Sequence, residues 1–183
     1  MYGREDIVLR RDVTAVQIPD GATCVLPKGH VVSLVQALGG TFTVATELGN
    51  MVRIAGTDAD ALGKEPPCLP GLLPEPDAES IEKNVWEILR TIYDPEIPVN
   101  IVDLGLIYHC KVSPVESSHT FRVDIVMTLT APGCGMGPIL QSDVENAIRN
   151  LPGVSAVRVD VVFDPPWSRD MMSEVAKLQL GIL

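Results

Sequence analysis

Aromatic residues make up only 4% of the 183 residues, although 46% are hydrophobic. A buried core must therefore be assembled from Val, Leu, Ile, Ala and Met. Long apolar runs are missing as well. None approaches the roughly 20 residues of a membrane-spanning helix, and the start, "MYGREDIVLRRDV", is charged where a secretory leader would be apolar. These absences lead us to expect a soluble, cytoplasmic protein with no membrane partner. Metal-binding spacings are also lacking. The four cysteines, Cys24, Cys68, Cys110 and Cys134, lie 44, 42 and 24 positions apart, which fits neither a C-x-x-C pair nor a compact disulfide framework. The three histidines, His30, His109 and His119, form no H-x-x-x-H pattern, which disfavours a tetrahedral zinc site within one chain. Basic charge is scarce: 14 Lys and Arg face 24 Asp and Glu, and residues 71–183 hold 8 basic against 16 acidic side chains. Such a surface repels phosphate backbones, so nucleic acid is excluded as a partner, and the excess reads as a solubilising charge.

The residues present fall into two textures. Between residues 13 and 54 short apolar runs ("VTAVQIP", "TCVLPKG", "VVSLVQAL", "TFTVATE", "MVRIAG") alternate with turn signals such as Pro19-Asp20-Gly21 and Gly39-Gly40. About five strands forming a small antiparallel sheet or barrel are expected. From residue 55 to 78 the chain has linker texture. Its Pro-rich stretch, "GKEPPCLPGLLPEPD", blocks both helix and central strand and contains Cys68. The expected domains are 1–62, a linker at 63–78, and 79–183.

Beyond the linker the period changes. Ile81, Val85, Leu89 and Ile92 share one helical face, with Asp77 as N-cap and an end near Tyr93 or Asp94 before Pro95. "LGLIYHCKV" and "FRVDIVMTLT" alternate as a hairpin pair, the second with Arg122, Asp124, Thr128 and Thr130 on its polar face. Leu140, Val144, Ala147, Ile148 and Leu151 mark a second helix over 138–151, "VSAVRVDVVF" a third strand, and 168–180 a last helix with Met171, Val175 and Leu178 inward. The expected fold class is α+β: the β-domain, then an α-β-β-α-β-α domain with helices on one face of a three-stranded sheet.

Cys134 stands out within "TLTAPGCGMG". It falls in a strand-to-helix turn or at a helix N-terminus, where free N–H groups and the helix dipole favour a thiolate. Gly133, Gly135 and Gly137 clear side chains from around it. The alternative is a turn in which glycines serve positive φ and the cysteine fills space. A nucleophilic enzyme would need a base, and His109 is the one supplier the strand pairing offers, though it lies on a polar face. Asp94, Glu96 and Asp103 cluster around the turn "YDPEIPVNIVDLGL". They are either solvated and capping or available for a cation or acid–base work. Trp167 in "FDPPWSRD" is either a hydrophobic plug or a shield for a site near Cys134.

Taken together, "YDPEIPVNIVDLGLIYHCKV", "MTLTAPGCGMG" and "VVFDPPWSRDMMSE" resemble the PaaD-like metal–sulfur cluster assembly family, over 78–183, and the preceding "QALGGTFTVATELGNMVRIAGTDADALG" is similar to the β-extension of its longer members. The resemblance implies the fold of an iron–sulfur cluster assembly domain and a non-enzymatic role as carrier, adaptor or auxiliary in cluster maturation. It implies Cys134 as the reactive thiol and possible cluster ligand, with Asp94, Glu96, Thr128 and Thr130 at other characteristic positions. Gly135 departs from the family, where many members have proline. One thiolate cannot hold a cluster that takes four ligands. A transient cluster shared between chains of a homo-oligomer, or with a client apo-protein, is therefore the expected cargo, and the assembly machinery the expected partner. A cluster-free adaptor and a thiol-dependent enzyme are the alternatives.

Overall fold

The structure, a computed structural model, describes residues 5–66 and 77–182. Cys68 and most of the Pro-rich linker lie outside the described residues. Two compact units divide the chain, Met1–Cys68 together with Pro95–Pro98, and Leu69–Asp94 together with Val99–Leu183.

The first unit is a six-stranded antiparallel sheet, one strand more than the turn signals suggested. Its strands are β1 (Glu5–Val8), β2 (Val13–Ile18), β3 (Thr23–Leu26), β4 (Val31–Leu38), β5 (Thr41–Thr46) and β6 (Met51–Ala55), in the order β1-β4-β5-β6-β2-β3. The extra strand, "EDIV", hides in the charged start and pairs with Val31 to Leu34 of β4. The linker texture assigned from residue 55 also yields. Gly56–Leu62 is a 3-10 helix whose Ala59, Ala61 and Leu62 join the core. Arg11 holds this helix through Asp58 at 2.8 Å and Asp60 at 2.6 Å. Its guanidinium keeps the Asp60 carboxyl below the usual carboxylate range. Phe42 is the one aromatic among the buried hydrophobic residues described, in line with the aliphatic core that the composition requires.

The second unit runs α1 (Ala78–Leu89), β7 (Ile107–Pro114), β8 (Phe121–Met127), α2 (Gly137–Arg149), β9 (Val154–Val161), a 3-10 turn Arg169–Met171 and α3 (Glu174–Leu180). The sheet order is β7-β8-β9, with β7 antiparallel and β9 parallel to β8. Asp77 caps α1 by accepting from Ser80 N–H at 2.7 Å, which satisfies one of the orphan donors of the first turn. The helix ends at Leu89, earlier than Pro95 demands, because the chain turns there to form an isolated bridge between Tyr93 and Asn100. α1 lies against β7 and α2 against β9. Ile81, Val85 and Leu89, then Leu140, Val144 and Ile148, are buried with Val123, Ile125 and Met127 of the central strand. Each such side chain removed from water contributes about 1.5–3 kcal/mol.

The last helix corrects the expected phase. Val175 and Leu178 point outward, 66% and 65% exposed, and Met171 is 36% exposed, while Met172 and Ala176 are buried. Met172 has extended backbone (ψ 144°) between the 3-10 turn and α3, so helical phase is not carried across it. Ser173 then caps a fresh helix by accepting from Ala176 N–H at 3.1 Å.

Candidate functional site

Three of the residues singled out, Asp103, Thr128 and Trp167, meet at one loop, 100–106. Asn100 Nδ2 donates to Asp103 Oδ2 at 2.6 Å, and Asp103 N–H donates to Asn100 Oδ1 at 2.8 Å. The reciprocal pair closes the loop on itself and leaves Asp103 as its lock rather than a free acid. Gly105 has φ +74°, and a Cβ there would lie 2.3 Å from the Met171 carbonyl oxygen. Only glycine admits that approach.

Three backbone carbonyls of this loop accept hydrogen bonds from other segments. Asp103 O accepts from Ser173 N–H and Leu106 O from Thr128 N–H, both at 2.8 Å. Leu104 O accepts from the Trp167 indole N–H at 2.8 Å. Trp167, expected as a plug or shield, is thus half-buried and bonded to the loop. Tyr108 reinforces it by donating its hydroxyl to Pro165 O at 2.7 Å. Sequence reasoning missed Asn100 and Tyr108. The N-x-x-D spacing of Asn100 and Asp103 is a local capping pattern that signals the first, whereas partners that are backbone carbonyls leave no signature in side-chain identity.

Thr128 departs from its expected place on a polar face. β8 ends at Met127 and alternation ends with it: Met127, Thr128 and Leu129 are all buried. The Thr128 hydroxyl is enclosed with no hydrogen-bond partner among the described residues. Thr130, two residues further on, is half-buried. Gly133 has φ +78° and open space around its missing side chain, whereas a Cβ at Gly137 would meet Leu129 Cδ1 at 2.6 Å. Glycine therefore serves the turn at one position and close packing at the other.

Cys134 lies in this turn, three residues before α2, half-buried and free, and its carbonyl accepts from Gly137 N–H at 3.1 Å. Met136 gives α2 no side-chain cap, and Pro138 stands in its first turn. Cys110 makes the contrast. It is half-buried on β7, and desolvation, with the nearby Glu82 charge, pushes its thiol up to about 12. It stays protonated at neutral pH and is a poor nucleophile or ligand. His109 is exposed on the same strand.

Asp94 is buried, and its N–H donates to Val99 O at 3.1 Å. Glu96 is exposed and belongs to the segment Pro95–Pro98 grouped with the first unit. Among the described residues no group of three or more His, Cys, Asp or Glu side chains is placed to hold a metal ion. No described helix is long and apolar enough to cross a membrane.

Known proteins extend this geometry. Residues 82–161 match the family described as "Iron-sulfur cluster assembly protein". That span holds Asp94, Glu96, Asp103, Thr128, Thr130, Gly133 and Cys134, but not Trp167. An "Fe-S protein maturation auxiliary factor" of Porphyromonas gingivalis is 46% identical over 102 residues, 56% of this chain and 92% of the relative. The "Fe-S protein maturation auxiliary factor SufT" of Staphylococcus aureus is 42% identical over 91 residues, 50% of this chain and 98% of the relative. A crystal structure of a domain of unknown function from Bacillus anthracis superposes with TM-score 0.51 at 37% identity, covering 58% of this chain and 96% of that one. With almost the whole length of such relatives matched, the chain belongs to the SufT-like family of iron–sulfur cluster assembly proteins.

Proposed function

We propose that this chain is an auxiliary factor in iron–sulfur protein maturation, acting through Cys134 to carry clusters or help deliver them to client apo-proteins. The observation that supports the role is family membership, in which curated relatives bear the name of maturation auxiliary factors rather than of enzymes. The observation that supports the residue is its placement: Cys134 sits in the turn before α2 beside Gly133, whose missing side chain leaves open space, and burial pushes the thiol of Cys110 up. Asp94, Glu96, Asp103, Thr128, Thr130, Gly133 and Trp167 make up the supporting motif in this reading.

The cluster is cargo in this reading. A single thiolate supplies one of the usual four ligands, so the remainder comes from a second copy of the chain, a client or small thiols. A cluster held that loosely suits transfer rather than storage. The working compartment is the cytoplasm, where such a thiol stays reduced, and the partners are the assembly machinery and its clients, with neither nucleic acid nor membrane involved. A cluster-free adaptor of the assembly machinery is the second reading.

Anaerobic reconstitution with iron and sulfide, read by native mass, tests both. Wild type is expected to gain a cluster shared by two chains, and Cys134→Ser to gain none. Cluster loading equal in the two proteins removes Cys134 from the mechanism. If neither protein binds iron or sulfide yet both restore client enzymes in a strain lacking its own homologue, the adaptor reading replaces the carrier.

A further inference from the structure

The peptide unit joining Met127 to Thr128 is gripped at both of its polar groups. Its carbonyl, Met127 O, accepts from Val162 N–H at 2.8 Å, and its amide, Thr128 N–H, donates to Leu106 O at 2.8 Å. Val162 begins a strap, residues 162–173, and Leu106 ends the loop to which that strap is tied. The ties are the Trp167 indole N–H on Leu104 O, Ser173 N–H on Asp103 O and the Met171 carbonyl seated against Gly105, and the Tyr108 hydroxyl of the adjoining β7 adds a fourth on Pro165 O. Loop, strap and strand end therefore form one closed ring of bonds. Cys134 hangs from it six residues beyond Thr128.

We propose that Trp167 is a positioning residue for the Cys134 turn, acting through the Leu104 and Leu106 carbonyls to set where the chain leaves β8. Within the strap, Trp167 is the residue whose side chain bonds the loop, and its partner, Leu104, is 0% exposed. When the indole N–H is removed, a buried carbonyl loses its donor with no water to replace it. The loop then gains freedom at the residues that hold Thr128. The strap's backbone ties remain, so the effect is local slackening rather than unfolding.

The inference rests on Cys134 being the working thiol, but its test does not need a cluster. Trp167→Phe keeps an aromatic side chain and deletes the donor. Three quantities are compared with wild type: the urea midpoint, amide exchange at Thr128 and within α1, and the rate of iodoacetamide alkylation at Cys134 at one fixed pH, followed on its own peptide. We expect exchange at Thr128 to quicken about fivefold to tenfold, with α1 exchange unchanged and a changed Cys134 alkylation rate. An unaltered Thr128 exchange rate or an unaltered Cys134 alkylation rate overturns the proposal. So does equal acceleration at every amide, which marks a general loss of stability. Tyr108→Phe, which removes the strap's other side-chain tie, is expected to shift the same readings in the same direction by less, and it decides the matter if Trp167→Phe does not fold. A Trp167→Phe protein with wild-type readings beside an inactive Cys134→Ser protein defeats this proposal while leaving the thiol's role intact.

Discussion

The loops at 100–106 and 128–136 are joined by a single hydrogen bond, yet they are built on opposite plans. The first is locked by its own Asn100–Asp103 pair, bound through three carbonyls, and pressed so closely that Gly105 admits no side chain. The second is held at its ends, by Thr128 N–H and by Gly137 N–H on Cys134 O, with open space at Gly133 between them. The rigid loop carries no thiol and the open one carries Cys134. In this unit rigidity lies beside the Cys134 turn rather than on it, with open space at Gly133 next to the cysteine.

The difference is open to direct attack. Both Gly105 and Gly133 have positive φ, so an alanine meets a similar backbone penalty at either, but only at Gly105 does its Cβ collide with backbone. Gly105→Ala should cost about 3 kcal/mol of unfolding free energy, backbone strain and overpacking together, and Gly133→Ala about 1 kcal/mol, read from urea midpoints. Equal losses would mean that the two loops are not differently built. A smaller effect of opposite sign is expected from Thr128→Val. The hydroxyl is buried without a partner, so replacing it with a methyl should leave stability unchanged or raise it by up to ~1 kcal/mol. A clear loss would mean that the hydroxyl is bonded in solution and that the strand end is held more firmly than its two backbone bonds imply.

A last effect, absent at neutral pH, concerns Cys110. Burial raises the Cys110 pKa from 9.0 to about 12. Between those values the unfolded chain releases a proton that the folded one keeps, so this contribution is intact below pH 9 and is lost as pH climbs toward 12. Cys110→Ala should flatten the alkaline limb of the stability profile, as measured by urea midpoints across that window. An unchanged limb would mean that burial does not hold the Cys110 thiol protonated.

Much of this was legible in the sequence, because period and turn chemistry are local. The α-β-β-α-β-α order, the Asp77 cap and the hairpin of β7 with β8 follow from spacing. What failed was non-local or broke a period. β1 is a four-residue strand whose partner β4 lies more than 20 positions away, and its acidic start masks it. Residues 56–62 looked like linker because 3-10 helices carry no 3.6-residue stripe. In the last helix, one extended residue, Met172, reset the phase and turned Val175 and Leu178 outward. Thr128 was misplaced because strand alternation was extended past the end of β8. The position of Cys134 in a strand-to-helix turn was visible, since Gly133 and Pro138 mark both sides of it. The tie between Trp167 and the loop was not, since an indole bonded to a backbone carbonyl leaves no second residue to notice.

The central claim is that, of the thiols described, Cys134 is the one through which this chain serves maturation. The most direct measurement is the activity of an iron–sulfur client enzyme in a strain lacking its own homologue, complemented with wild type, Cys134→Ser or Cys110→Ser at equal protein levels. Wild type and Cys110→Ser should restore the enzyme alike, and Cys134→Ser should leave it at the uncomplemented level. Full restoration by Cys134→Ser would contradict the account.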